Sequence, residues 1–323
     1  MENTKIAWAD HTFNPWIGCA KVHTGCLNCY AEVQAGRFGV TWGPDGTRRK
    51  TSEAYWRKPL AWNRLAEKSG VRFRVFPSLC DPFEDWDGPI VDHHGKRLAV
   101  DGRLYIPGKN VIPPGPSRWA TMSDLRRDFF RLIDKTPNLD WLLLTKRPEN
   151  IRRMLPTDDH IPGMEGIQSY MRNVHLLYSA SDQETLEAGL PHLLACRDLV
   201  PVLGVSLEPL VGPVDVTPYI GGRSYRCRCG YHRTENELVF FGGDEWACPA
   251  CAGLCVIGPT IDWVIVGGES GWNARPCSIE DIESVVEQCQ SANVRCFVKQ
   301  DRGRLPGQQG QISDRLWNVK EFP

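Results

Sequence analysis

Long apolar runs are missing from this 323-residue chain. The longest, such as Trp141 to Leu144 and Trp263 to Val266, are far too short to cross a bilayer, so no membrane partner is expected. A surplus of charge is missing too. The formal net charge of −1 excludes a strongly basic DNA-coating protein and leaves room only for a local basic surface. Met1 to Asp10 is polar and charged, without the apolar segment of a secretory signal. Cysteine, by contrast, is plentiful at 13 residues. In a chain with no export signal these read as metal ligands and reduced thiols rather than disulfides, which points to a cytoplasmic setting.

Short β-type runs alternate with helical patterns, the rhythm of βα units around a parallel sheet. Strands are expected at Phe73 to Phe76, Leu139 to Leu144, Val174 to Tyr178, Val200 to Leu207, Ile261 to Val266 and Arg295 to Val298, with one more just ahead of Cys19. Helices are expected over about Trp119 to Ile133, Ser181 to Ala195 and Ser278 to Ala292, the last two opened by capping residues. About seven strands make an α/β chain, a partial or modified TIM-like β/α barrel.

One stretch organises the rest. Phe13-Asn14-Pro15-Trp16-Ile17-Gly18-Cys19, continuing to Cys26-Leu27-Asn28-Cys29-Tyr30, places three cysteines at spacing C-x6-C-x2-C. Three thiolates can hold three irons of a [4Fe-4S] cluster and leave the fourth iron open. Three cysteines with His11 or His23 can instead hold a zinc ion, and buried structural thiols are the third reading. Gly18, Gly25, Pro15 and Asn28 mark a turn-rich loop rather than an apolar strand, which counts against plain burial.

Asn14-Pro15-Trp16-x-Gly-Cys19 and Gly25-Cys26-x-x-Cys29-Tyr30-Ala31-Glu32 resemble the signature of a phage-associated three-cysteine-motif family of largely uncharacterised proteins related to radical SAM enzymes. Further matching segments run from Val75 to Glu84, Asp140 to Pro148, Leu203 to Asp215 and Ile261 to Gln300. The common radical SAM spacing is C-x3-C-x2-C with an aromatic just before the last cysteine; here the first gap is six residues and Tyr30 follows Cys29. The resemblance implies a cluster on Cys19, Cys26 and Cys29 with Tyr30 alongside, S-adenosyl-L-methionine as cofactor, and radical chemistry on a substrate hydrogen. The phage association implies a modified base in DNA as substrate, for example a rearranged substituent on a pyrimidine, with DNA or a nucleotide as partner, other enzymes of a modification pathway, and the host cytoplasm as location. Gly267-Gly268-Glu269 is similar to the run that takes the SAM amino group in radical SAM enzymes, although there it follows the strand after the cluster.

Two segments interrupt the βα rhythm. Glu84 to Pro116 is rich in proline and glycine and reads as an irregular arm. Gly221 to Gly258 carries Cys227-x-Cys229 and, eighteen residues on, Cys248-x-x-Cys251, two knuckles suited to a tetrahedral structural zinc, with Cys255 as a spare thiol. The expected organisation is a barrel over 1–220 with an arm at about 84–116, an inserted zinc ribbon over 221–258 and the rest of the barrel over 259–323.

Functional groups of barrel enzymes collect where strands run into loops. Asp81, Lys146, Ser179, Glu208, Glu269 and Lys299 all fall near such ends, and Asp81, Glu208, Glu269 and Lys299 are the catalytic candidates. Arg48, Arg49, Lys50, Arg57, Lys58, Arg64, Lys68, Arg72 and Arg74 lie among Trp42, Tyr55, Trp56 and Trp62, which suits either a nucleic-acid surface or an amphipathic helix with its rings buried. The leading expectation is an iron–sulfur radical enzyme. Its rivals are a non-enzymatic nucleic-acid-binding protein with zinc at both cysteine groups, and a radical enzyme acting on RNA or a free nucleotide.

Overall fold

The computed structural model describes residues 2–100, 118–155, 171–197, 199–221 and 260–323, with the backbone of five short strands between 225 and 257. Seven strands form one sheet: β1 (His11–Thr12), β2 (Phe73–Phe76), β3 (Leu139–Thr145), β4 (Val174–Ala180), β5 (Val202–Leu207), β6 (Trp263–Val266) and β7 (Arg295–Val298). Their order in the sheet is their order in the chain, and every neighbouring pair is parallel. Parallel neighbours joined by right-handed crossovers put the described crossover helices on one side, so the sheet curls around its other face as a half-barrel.

Side-chain alternation follows. After α1 (Tyr30–Gly36), which follows the last cysteine of the loop, Val75, Trp141, Leu143, Val174, Leu176, Leu203, Val205, Val264 and Val298 point outward into the main core, where they meet the helices α2 (Lys58–Ser69), α3 (Met122–Asp134), α4 (Gln183–Leu194) and α5 (Ile279–Ser291). Phe76, Leu142, Leu177, Trp263, Ile265 and Phe297 point inward and pack with Trp8 into a second, smaller core on the concave face. Shifting a strand by one residue would exchange these two sets, so burial on both faces fixes the register.

Local signals set the helix ends. Thr121 and Asp124 cap each other reciprocally at α3, Asp182 and Thr185 do so at α4, and the Ser278 hydroxyl accepts from the Asp281 N–H at α5. The start of α3 falls at Met122 rather than Trp119, because Arg118–Trp119 pairs antiparallel with Ala99–Val100. The strand just ahead of Cys19, Trp16–Ile17, belongs to a separate three-stranded sheet with Arg48–Lys50 and Ile90–Val91; His11–Thr12 is the one that enters the half-barrel.

The half-barrel does not close between β7 and β1. The C-terminal tail covers the outer edge of β7 instead: Val298 donates to Val319, Glu321 donates to Cys296, and Phe297 bridges Lys320. An edge covered this way cannot take another strand. Phe322 then turns under the sheet to pack on Trp263 and Phe297, with the Arg74 guanidinium 3.6 Å from its ring centre, while Trp8 lies 4.5 Å from Phe76.

Of the zinc-ribbon candidates, Cys229, Cys248 and Cys251 lie outside the described residues. Cys227 is described in backbone only, in a strand (Tyr225–Cys227) that pairs with His232–Arg233 and Cys255–Ile257 and sets Cys227 opposite Cys255. Val239–Gly242 and Glu245–Ala247 form a separate antiparallel ladder.

Candidate functional site

The cysteine loop lies across the C-terminal ends of the parallel strands. Its turn needs Gly18: φ is +126°, and a Cβ there would stand 2.7 Å from the Thr47 carbonyl oxygen. Past that point the loop is pinned strand by strand. Gly18 donates to Leu79 O (3.1 Å), Ala20 N donates to Glu84 (2.8 Å) and the Tyr30 hydroxyl donates to Ser78 O (3.2 Å), all beyond β2. Arg147 after β3 donates to Ala20 O at 2.8 Å. After β4, Thr24 donates to Asp182 at 3.3 Å, and Gly25 sits so close to Ser181 that a Cβ would collide with its hydroxyl. After β6, Asn28 donates to Glu269 (3.0 Å) and to Asn273 O (2.8 Å), and Arg275 donates to Thr24 O (3.0 Å). His23 caps the turn Thr24–Cys26 by accepting the Gly25 N–H at 3.0 Å.

Cys26 is buried, and Cys19 and Cys29 are half-buried. Burial pushes the Cys19 thiol up, and Glu84 and Asp81 push it further, while Arg147, 3.5 Å from the sulfur, works against them. Burial also raises Cys29, opposed by the Lys146 ammonium. Cys80, which sequence reasoning passed over, shares the corner: burial, Asp81 and Cys19 all hold it in the thiol form.

The strand-end residues meet on the concave side. Lys146 Nζ donates to the Ser179 hydroxyl at 2.7 Å, Ser179 donates to Glu208 O at 3.3 Å, and Lys299 Nζ pairs with both Glu208 oxygens at 3.1 and 3.2 Å. The buried hydroxyls of Ser181 and Ser206 and the Nε2 of His23 have no hydrogen-bond partner among the described residues. Other buried polar atoms without a partner, among them those of Trp16, Trp56 and His175, lie away from this end, but only here do such groups sit beside the paired strand-end charges, where a bound polar guest could complete them.

Asp81, Glu269 and the two glycines each have a structural part within the chain. The Asp81 carboxylate is filled by Thr145 Oγ1 (2.8 Å), Phe83 N (3.0 Å), Lys146 N (3.1 Å) and Arg147 (2.8 Å), so it positions the end of β3. Glu269 holds Asn28 and Arg275, which makes it an anchor of the cysteine loop. At Gly268 a Cβ would lie 2.6 Å from Arg302 N, and at Gly267 3.0 Å from Gln300 O. The chain's own backbone takes the space, and packing alone calls for glycine at both positions.

The basic and aromatic stretch resolves toward the packing reading. Arg48 is fully buried and bidentate on Glu84, Arg49 serves the Phe38 and Gly39 carbonyls, Arg72 pairs with Asp140, and Arg74 pairs with Asp10. Trp62 is buried in the main core, with Tyr55 and Trp56 packed against it.

His11 is no partner for the cysteines: its ring stacks on Trp62 at 4.3 Å and its Nδ1 accepts from Asn3. Among the described residues no three Cys, His, Asp or Glu side chains converge on one point. Cys19, Cys26 and Cys29 nonetheless share one loop, and thiolate is the donor type that an iron–sulfur cluster takes.

A family model described as "Protein of unknown function (DUF5131)" matches residues 3–86 and 120–315. The chain belongs to the DUF5131 family. The DUF5131 match takes in the cysteine loop and all seven sheet strands and skips 87–119, much of the irregular arm. No curated protein and no solved structure matches the chain. Among the described residues, no helix is long and apolar enough to cross a membrane.

Proposed function

We propose that this chain is an iron–sulfur enzyme of the radical SAM type, in which Cys19, Cys26 and Cys29 hold a [4Fe-4S] cluster and the substrate is a nucleic-acid base, with phage DNA the first candidate. The observation that supports it most is the cysteine loop fastened across the strand ends, directly over the polar end of the concave face. When bound, such a cluster with SAM supplies a one-electron cleavage that yields a hydrogen-abstracting carbon radical. The chain's own share is positioning and exclusion. Lys146 and Lys299 offer ammonium groups to an anionic group of a bound molecule, Ser179, Ser181 and Ser206 offer hydroxyls, and Glu208 accepts from a cation. Beneath them Phe76, Leu142, Leu177, Trp263, Ile265 and Phe297 fill the concave face and keep water out from below. The cysteines Cys227, Cys229, Cys248 and Cys251 we assign to a structural zinc.

The test is EPR on anaerobically reconstituted, reduced protein, with and without SAM, beside a Cys19→Ala/Cys26→Ala/Cys29→Ala variant. A cluster signal that SAM perturbs and the variant lacks supports the reading, and turnover on duplex DNA, transfer RNA and free nucleosides then sorts the substrates. Zinc as the only metal, with no cluster signal, would leave the nucleic-acid-binding alternative in its place.

A further inference from the structure

We infer that Trp272, backed by Arg304 and flanked by Arg302, is a stacking platform for an unpaired nucleobase. The inference rests on the nucleic-acid substrate proposed above and supplies the contact that the stretch from Trp42 to Arg74, whose rings are packed inward, does not provide.

Trp272 is 78% exposed, the largest exposure of any large hydrophobic residue among those described. An indole left in water forgoes about 2–3 kcal/mol of burial, so its position beside a site is informative. The Arg304 guanidinium lies 3.6 Å from the ring centre, covering one face and leaving the other open. The support is firm: Ser270 bridges Gly303, Gly271 donates to Gly303 O at 2.9 Å, and Gly303 donates to Glu269 O at 3.2 Å. Asn273, the next residue, accepts from Asn28 of the cysteine loop, so the ring stands at the rim of the proposed site.

Charge selects the occupant. Arg302 and Arg304 form no ion pair with a described residue and stand beside an exposed ring, whereas the exposed cations Arg57, Lys58, Arg64 and Lys68 stand near rings that are packed inward. The adjacent carboxylate of Asp301 is buried and turned inward, accepting from Arg302 N (2.6 Å) and Gln311 N (3.0 Å). An open aromatic face with uncommitted cations beside it matches a polyanion that carries bases: the ring takes the base and the guanidiniums take phosphates.

The test is fluorescence anisotropy at low salt with a labelled oligothymidylate of about a dozen nucleotides and an abasic strand of equal length. Trp272→Ala is expected to weaken the oligothymidylate roughly five- to a hundredfold and leave the abasic strand unchanged, while Trp272→Phe keeps most of the affinity. Arg302→Ala is expected to weaken both strands and lower the salt slope by about 0.7. Equal binding of oligothymidylate by wild type and Trp272→Ala, equal binding of the two strands by wild type, or no binding by wild type would each overturn the platform. The EPR signal of Trp272→Ala separates the two claims. Lost stacking with an intact cluster signal supports both, and unchanged stacking with an intact signal removes the platform alone. Lost stacking in a protein without a cluster keeps the platform and removes the radical reading.

Discussion

Arg147 ties Cys19 to the sheet: one guanidinium nitrogen lies 3.5 Å from the Cys19 sulfur and 2.8 Å from the buried Asp81 carboxylate. Its other terminal nitrogen holds Ala20 O and reaches Glu84 at 3.4 Å, and Glu84 in turn is bidentate on Arg48. Two guanidiniums and two carboxylates thus share one dry corner beneath the cysteine loop. Such a network is stable only when complete, because each charge left alone there has lost its water.

Glu84→Gln should therefore be costly out of proportion to its small change in shape. It strands the fully buried Arg48 and slackens the hold on Ala20. The expected loss is about 3–5 kcal/mol, read as a lower urea midpoint. Iron bound per chain after reconstitution should fall with it, since the loop carrying Cys19 loses an anchor. A midpoint like that of wild type would show that the corner is wetter than the geometry describes.

His23 gives the loop a pH dependence of definite sign. Burial, aided by the Lys146 charge, pushes it down to about 4 from an ordinary value of 6.5. The unfolded chain then binds more protons between those two values. Stability from this group is complete above pH 6.5 and is lost as the pH falls toward 4. The ring is partly exposed, so the difference is about 1–2 kcal/mol after allowance for solvent screening. His23→Asn keeps an acceptor for the Gly25 N–H and removes the titration. Its urea midpoint should fall less between pH 7 and pH 4.5 than that of wild type, and parallel curves would count against this role.

Gly268→Ala separates packing from cofactor contact. The added methyl meets Arg302 N at 2.6 Å and the Asp301 carbonyl carbon at 3.0 Å, both backbone atoms that cannot swing aside. Overpacking of this kind costs about 1–3 kcal/mol and should appear in the thermal midpoint with no ligand present. A variant as stable as wild type that has lost SAM affinity would return the Gly-Gly-Glu run to the cofactor.

What could be read from the chain alone was what local pattern encodes. Six apolar runs became six parallel strands of the half-barrel, while the run expected ahead of Cys19 went to another sheet, and Ser278 and Asp182 opened helices because a capping side chain acts within one turn. What could not be read depends on distant pairs. Nothing near Arg48 announces that Glu84, thirty-six residues on, will bury it, and so the run of cations left a phosphate surface and an amphipathic helix both open. Gly267 and Gly268 resembled a cofactor motif because the backbone at 300–302 that fills their space belongs to another strand end. Cys80 went unnoticed because its neighbour Cys19 lies on a different strand's loop. Trp272 carried no signal at all, since exposure is a property of the folded surface.

The pair of Lys299 and Glu208 offers the sharpest test of whether the concave end is a site or only a clasp. The two side chains are 16% and 11% exposed and meet at 3.1 Å, close enough that removing either charge leaves the other nearly dry. Glu208→Gln and Lys299→Met should each destabilise by about 3 kcal/mol. The double variant Glu208→Gln/Lys299→Met removes both charges and should regain most of that loss, the non-additivity expected of residues in contact. Function should not follow stability. If Lys299 meets an anionic group of a bound molecule and Glu208 a cationic one, SAM cleavage by the double variant stays at least about tenfold below wild type even though the fold has recovered. Recovery of cleavage together with stability would mean that the pair merely joins β5 to β7, and the polar end of the half-barrel would then owe its chemistry to Lys146 and the serines alone.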